Sequence, residues 1–316
     1  MFSMTYHSVD VLKEGWLDLA VRIFKAAGFV VVLNVLSDEA CADVLETCKA
    51  WEENMLRCDP DLLGNRDPGR YSMGAASQSR ALLHEPAWRN LLDNGAVLDL
   101  LECIFLEQGF HFSGGGGDFV IGRTKNFQAL HSDLGVHRVP DELRYTFVPP
   151  KVAVNFTVQR ITESMGPMRI IPGRMVVDEG DIPPVFARES REMRESKLCP
   201  IPPGAGIFRD LRTWHGGTPN QSPTTRFLPC VEVVSGRYLQ VASTEKVWQR
   251  GLSQCLPQEQ FETLSGRCQN YCRAILTKKC LRIGVKKAAV VKPQRTWEKG
   301  SGRVGKVRRR TSQEPF

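Results

Sequence analysis

The chain has 316 residues, of which 42 are Lys or Arg and 35 are Asp or Glu, and its formal net charge is +7. That charge lies at the C-terminus: residues 285–316 contain ten basic and two acidic residues, whereas the other 284 contain 32 basic and 33 acidic ones. The body is therefore nearly neutral, which argues against a globally basic nucleic-acid-binding surface. A hydrophobic content of 42% excludes wholesale disorder.

The first third of the chain has helical periodicity. Apolar residues at helical spacing predict a helix over residues 12–24 that ends near Gly28, and the β-branched segment after it predicts a strand over 29–34. Ser37 can cap a second helix that runs to about residue 53. The same patterns predict a loop over residues 58–80, rich in Pro, Gly, Asp and Arg, and a helical pair between residues 85 and 108.

From residue 110 onward, short apolar segments alternate with Gly and Pro, which is typical of an antiparallel sandwich or barrel. A helix is predicted over residues 245–279, interrupted at Leu256-Pro257, and a basic tail follows. The predicted strands are residues 118–123, 152–158, 168–171, 206–211 and 227–234.

Targeting and redox signals favour an intracellular protein. The apolar run at residues 29–36 is far shorter than the roughly 20 residues of a membrane span, and early charged residues argue against a secretory signal. Ten cysteines without CxxC pairs are typical of reduced thiols, so we expect a cytoplasmic protein, with Arg308-Arg309-Arg310 as a candidate nuclear signal. Cys268, Cys272 and Cys280 leave open a zinc site, although helix packing explains them better.

Two segments carry candidate metal ligands. In a strand, His131 and Asp133 lie two residues apart and point to the same face. An apolar strand then delivers His215 into a Gly-rich turn 82 residues after Asp133, which would complete a 2-His-1-carboxylate set for Fe(II). Arg226 follows at the start of the next strand, and a guanidinium pairs well with a dicarboxylate. The alternative is a surface His131–Asp133 pair and a His215 that caps a turn.

Four segments, in this order, resemble the phytanoyl-CoA dioxygenase family of Fe(II)- and 2-oxoglutarate-dependent oxygenases. They are AGFVVVLNVLSDE at residues 27–39, LHSD at 130–133, TESMGPMRIIPG at 162–173 and WHGGTPN at 214–220. The resemblance covers about residues 20–235. Arg174 and Met175 stand where the family has Ser-His, and Met165 stands where it has Asn, so substrates of better-known members do not transfer.

The resemblance implies a mainly β fold with flanking helices and a double-stranded β-helix (jelly-roll, cupin-like) core. We expect a single oxygenase domain over 1–284, with N-terminal helices over 1–109, the core over 110–236 and C-terminal helices over 237–284. A basic, disordered tail over 285–316 would follow.

The resemblance also implies a set of site residues. His131, Asp133 and His215 would bind Fe(II), and Arg226 would pair with the far carboxylate of 2-oxoglutarate. Asn155 and Gln128 are further candidates for co-substrate contact, with solvent-facing strand positions as the alternative. Oxygen is the other co-substrate, and ascorbate is a candidate supporting reductant. Because Asp133 is retained, hydroxylation or a related oxidation is favoured over halogenation.

The substrate is predicted only by class, as a small molecule or a lipid-like compound. Residues 134–150 and 174–199 are candidate substrate loops. The second loop interleaves arginines with glutamates, which favours a solvated helix over an anion site. Two other functions remain open: a catalytically idle binding protein of the same fold, and an adaptor that binds nucleic acid or anionic surfaces through Trp297 and the basic tail. The oligomeric state is not predicted.

Overall fold

The computed structural model describes residues 7–128, 130–135, 139–173, 197–244, 255–277 and 285–286. Its strands are β1 (Ser8–Asp10), β2 (Phe29–Leu33), β3 (Arg70–Ser72), β4 (Phe110–Val120), β5 (Lys151–Phe156), β6 (Met168–Ile170), β7 (Gly206–Asp210), β8 (His215–Gly217), β9 (Arg226–Ser235), β10 (Leu256–Pro257) and β11 (Leu276–Thr277). The helices are α1 (Trp16–Ala27), α2 (Asp38–Cys58), α3 (Met73–Ala76), α4 (Arg89–Leu92), α5 (Gly95–Phe105), α6 (Asp141–Arg144), α7 (Gly236–Thr244), α8 (Gln258–Glu262) and α9 (Gly266–Cys272).

Seven strands form one large sheet in the order β1-β2-β7-β5-β9-β4-β3, antiparallel except for the β1–β2 pair. A smaller sheet pairs β6 with β8, and a bridge between His131 and His215 extends it. The two sheets enclose an apolar layer with Phe29 and Ile207 on one side and Ile170 on the other. This mainly β architecture with flanking helices confirms the predicted jelly-roll fold.

The period-2 pattern of the strands decides which side chains face the interior. In β2, Val30 and Val32 pack against the helices, whereas Phe29 and Val31 face the smaller sheet. In β7, Phe208 faces the helices and Ile207 the interior, so Arg209 also lies on the inner face. The large sheet therefore carries polar residues into the space between the sheets.

Strand β2 forms as predicted, whereas the two N-terminal helices form with shifted bounds, since α1 begins at Trp16 rather than at residue 12. Helix α1 ends at Gly28, which has a left-handed conformation with φ of 79°, and Ser37 caps α2 by accepting a hydrogen bond from the Ala40 N–H. Helix α2 continues to Cys58, beyond the predicted end near residue 53. Its inner face, including Trp51 and Met55, is buried.

Three local predictions differ from the structure. Residues 58–80 contain β3 and α3 rather than only loop, because β3 pairs with the far end of β4. Strand β4 starts at Phe110 and ends at Val120, whereas a strand over 118–123 was expected, because β9 supplies hydrogen-bond partners along the whole glycine run. The predicted helix over 245–279 is, in its described part, two short helices between paired strands β10 and β11.

Among the described residues, no helix has the length and apolar character needed to cross a membrane.

Candidate functional site

Three predicted ligands lie together between the two sheets. One ligand atom from each of His131, Asp133 and His215 lies within 4.8 Å of the others. The Nε2 atom of His131 is 3.4 Å from Asp133 Oδ1, and that of His215 is 3.5 Å from Asp133 Oδ2. Among the described residues, this is the only such group of three or more ligand-type side chains. Two imidazole nitrogens and a carboxylate oxygen form a donor set that fits a divalent transition metal.

The main chain places both histidines. The N–H of His131 donates to the His215 carbonyl, and the His215 N–H donates back to the His131 carbonyl, each at 2.9 Å. Their ring centroids are therefore only 4.4 Å apart. Asp133 follows two residues after His131, at the spacing that keeps both side chains on one side of an extended segment.

Arg209 is a site residue that the sequence analysis missed. Its Nη2 atom donates to Asp133 Oδ2 at 2.7 Å, and its Nη1 atom lies 3.2 Å from His215 Nδ1. Arg209 is buried, with only 4% of its surface exposed. An arginine two residues after Ile207 in an apolar strand was the available signal, since both residues must face the same way.

The site favours an ionised carboxylate beside neutral imidazole. Burial acts to raise the pKa of Asp133, but Arg209 and the two histidines outweigh it and hold that pKa well below its usual range. Burial and then Arg209 lower the pKa of His215 well below its usual value. The Nδ1 atom of His215 also lies 3.1 Å from the Thr213 carbonyl, so a metal ion on Nε2 would leave an Nδ1–H to donate there.

Arg226 is a buried cation for which the described part of the chain offers no acceptor. It is 4% exposed, and no described residue accepts a hydrogen bond or forms an ion pair with its guanidinium; its Nε is buried and unpartnered. Its strand register places it in one row with Val120 and Arg70, on the inner face. Burial and then Arg70 lower the pKa of Arg226 to about 9, against an opposing effect of Asp118. An anionic ligand would offset the cost of this burial.

The two other residues predicted to contact the co-substrate, Asn155 and Gln128, differ in whether a side-chain oxygen is available to a ligand. Asn155 lies in β5 opposite Ile207 and Cys230, is 7% exposed, and has a buried Oδ1 without a hydrogen-bond partner. Gln128 instead uses its Oε1 to accept the Gly217 N–H at 3.1 Å. Within the described residues, Asn155 therefore has an acceptor that no donor uses, whereas the Gln128 side chain helps to hold β8.

The candidate substrate loops are described only in part. In the first loop, Tyr145 and Phe147 are 76% and 75% exposed. Arg212 anchors this loop, because its guanidinium donates to the carbonyls of Leu143, Arg144 and Thr146 while pairing with Asp210. His137, Arg138 and residues 174–196 lie outside the described residues, and Lys197 pairs with Glu163 at 3.0 Å.

The cysteine pair in α9 is packed in the core. The Sγ atoms of Cys268 and Cys272 are 3.9 Å apart, and both residues are fully buried. Hydrogen bonding to Cys268 and burial raise the pKa of Cys272. Cys280 lies outside the described residues. Buried protonated thiols match the helix-packing interpretation.

The sequence profile of the family named Phytanoyl-CoA dioxygenase (PhyH) matches residues 24–228. The chain belongs to this family. The matched segment contains Arg226 and all three clustered residues that could hold a metal ion.

Solved structures resemble the PhyH chain at low identity. SnoN, a non-heme alpha ketoglutarate dependent epimerase from nogalamycin biosynthesis, is 15% identical, covers 69% of this chain and 82% of its own, and has a TM-score of 0.49. EctD from S. alaskensis, solved with 2-oxoglutarate and 5-hydroxyectoine, is 18% identical over 68% and 74% of the two chains, with a TM-score of 0.48. The non-heme monooxygenase ThoJ, in a nickel complex, is 17% identical over 67% and 75%, with a TM-score of 0.46. No curated protein matches the sequence.

Proposed function

We propose that this PhyH-family protein is an Fe(II)- and 2-oxoglutarate-dependent dioxygenase. It hydroxylates, or otherwise oxidises, an unactivated C–H bond of a small-molecule or lipid-like substrate and releases succinate and carbon dioxide. The observation that carries the proposal is the cluster of His131, Asp133 and His215, whose ligand atoms lie within 4.8 Å of one another beside the small sheet of a PhyH fold. These three residues are the proposed iron ligands.

The protein residues bind and orient the reactants. A facial set of two imidazoles and one carboxylate leaves coordination positions open, and bound iron with 2-oxoglutarate and oxygen supplies the oxidising chemistry. Arg226 is proposed to bind the far carboxylate of 2-oxoglutarate, since its buried guanidinium has no described acceptor. Asn155 is proposed to contact the same co-substrate through its free Oδ1.

A supporting role is proposed for Gln128. Its Oε1 accepts the Gly217 N–H, two residues beyond His215. We therefore propose that Gln128 affects co-substrate binding by holding β8 in place, and that direct contact falls to Asn155 and Arg226. The exposed Tyr145 and Phe147 lie on a loop anchored by Arg212 and are proposed to contact an apolar part of the substrate.

Anaerobic reconstitution tests the proposal. Purified protein mixed with Fe(II) and 2-oxoglutarate is expected to show the weak visible charge-transfer band of this enzyme class, and His131→Ala is expected to abolish it. A screen of candidate substrates, followed by succinate formation, then separates an enzyme from an idle binding protein of the same fold. A wild-type protein that binds no stoichiometric iron under anaerobic conditions would contradict the proposal.

A further inference from the structure

Arg209 is a buried cation in contact with two of the three proposed ligands. Its guanidinium lies 2.7 Å from Asp133 Oδ2 and 3.2 Å from His215 Nδ1. Because Arg209 is only 4% exposed, solvent screens its charge weakly, and a metal ion held by Asp133 would lie close to it.

The charges of His131, Asp133, Arg209 and His215 sum to zero before a metal ion or 2-oxoglutarate binds. Asp133 carries −1 and Arg209 carries +1, while both histidines are neutral when they ligate a metal. A divalent metal ion therefore raises the cluster to +2, and the 2-oxoglutarate dianion returns it to zero. With a neutral residue at position 209, the same cluster would be +1 with metal and −1 with both ligands.

We propose that Arg209 is a positioning residue that couples the two binding steps. Its hydrogen bond engages Asp133 Oδ2, so Oδ1 would be the carboxylate oxygen available to a metal ion. Its charge weakens binding of the metal alone and strengthens binding of 2-oxoglutarate to the metal-loaded protein. This inference rests on the proposed function, and it concerns the order and strength of binding rather than the oxidation step.

Titrations with Mn²⁺, which is stable in air, test the coupling. Compared with wild type, Arg209→Met is expected to bind Mn²⁺ at least about 10-fold more tightly, and its Mn²⁺ form to bind 2-oxoglutarate at least about 10-fold more weakly. Arg209→Gln, which retains an N–H donor without the charge, should shift both constants in the same directions. Arg209→Lys retains the charge and should stay within about 3-fold of wild type in both titrations.

Arg267→Met is the control for loss of an arginine charge. Arg267 lies in α9 and pairs with Asp99 and Glu102 at 2.6 and 2.7 Å. The buried residues of α9 pack on the helix-covered side of the large sheet, whereas Arg209 faces the small sheet, so this substitution should change both constants by less than about 3-fold.

The outcomes separate this inference from the proposed function. A purely structural role for Arg209 predicts weaker Mn²⁺ binding in Arg209→Met, and that result, or unchanged constants in the folded Met and Gln variants, overturns the coupling alone. A folded wild-type protein that binds neither Mn²⁺ nor 2-oxoglutarate overturns both.

Discussion

The Arg226 guanidinium is held in the interior without an acceptor among the described residues, and this predicts opposite effects on stability and binding. Arg226→Met should raise the dissociation constant of 2-oxoglutarate at least about 30-fold, because a buried charge partner is lost. The same variant should raise the melting temperature of ligand-free protein, because an unpaired buried charge is removed. Calorimetric titration and thermal unfolding measure the two effects. Arg226→Lys is the control that keeps the charge but loses the planar guanidinium. An unchanged 2-oxoglutarate affinity in Arg226→Met would contradict the proposed binding of the far carboxylate by Arg226.

Single residues differed in how far the sequence could predict them. The local spacing of His131 and Asp133 and the strand before His215 made these side chains candidates, and the resemblance of four ordered segments to one family led to the prediction that they meet. Arg209 was missed because its importance depends on a contact with Asp133, 76 positions away, which no local pattern contains. The hydrogen bond that Gln128 accepts from the Gly217 N–H could not be predicted either, because the two residues are distant in the chain.

Strand β8 is tightly packed at Gly217, and this predicts an element-scale effect. A Cβ at Gly217 would overlap the guanidinium of Arg70, which bridges the sheets by donating to the carbonyls of Thr218 and Asn126. Gly217→Ala should therefore lower the free energy of unfolding by about 1–3 kcal/mol. Gly114→Ala is the control, because a Cβ there meets nothing within 4 Å. Denaturant unfolding measures both, and equal stability of the two variants would refute the bridging role.

Elements with strong local signals were predicted well. Helix α1, strand β2 and the start of α2 are each marked by apolar periodicity or by a capping residue within the same short segment. The start of β4 was missed because its glycine run has low strand propensity, and only pairing with β9 makes it extended. Strand β3 likewise forms by pairing with β4, so its residues are predicted as loop from the local sequence.

At the scale of the whole molecule, two histidines away from the candidate site predict acid sensitivity. Burial lowers the pKa of His84 and of His111 from 6.5, with Glu85 opposing the effect at His84. The unfolded chain therefore binds more protons than the folded one as the pH falls below about 6.5, and folding stability is lost. Each such proton contributes up to about 1.4 kcal/mol per pH unit.

Denaturant unfolding between pH 7 and pH 5.5 measures this loss. The decrease in unfolding free energy should be smaller in His84→Gln and in His111→Gln than in wild type, and smallest in the double variant. An identical pH dependence in the double variant would assign the acid sensitivity to other groups.

The order of strands in the large sheet also constrains how the protein is made. Strand β2 leaves the ribosome well before its antiparallel neighbour β7, which begins at Gly206. Among the described strands, β4 and β5 are joined through β9, which ends at Ser235. A nascent chain that does not yet contain β9 cannot complete the sheet, so apolar strand edges stay open until Ser235 has been added. Slow translation of the segment between β6 and β9 would prolong that exposure, and coexpressed chaperones should raise the soluble yield.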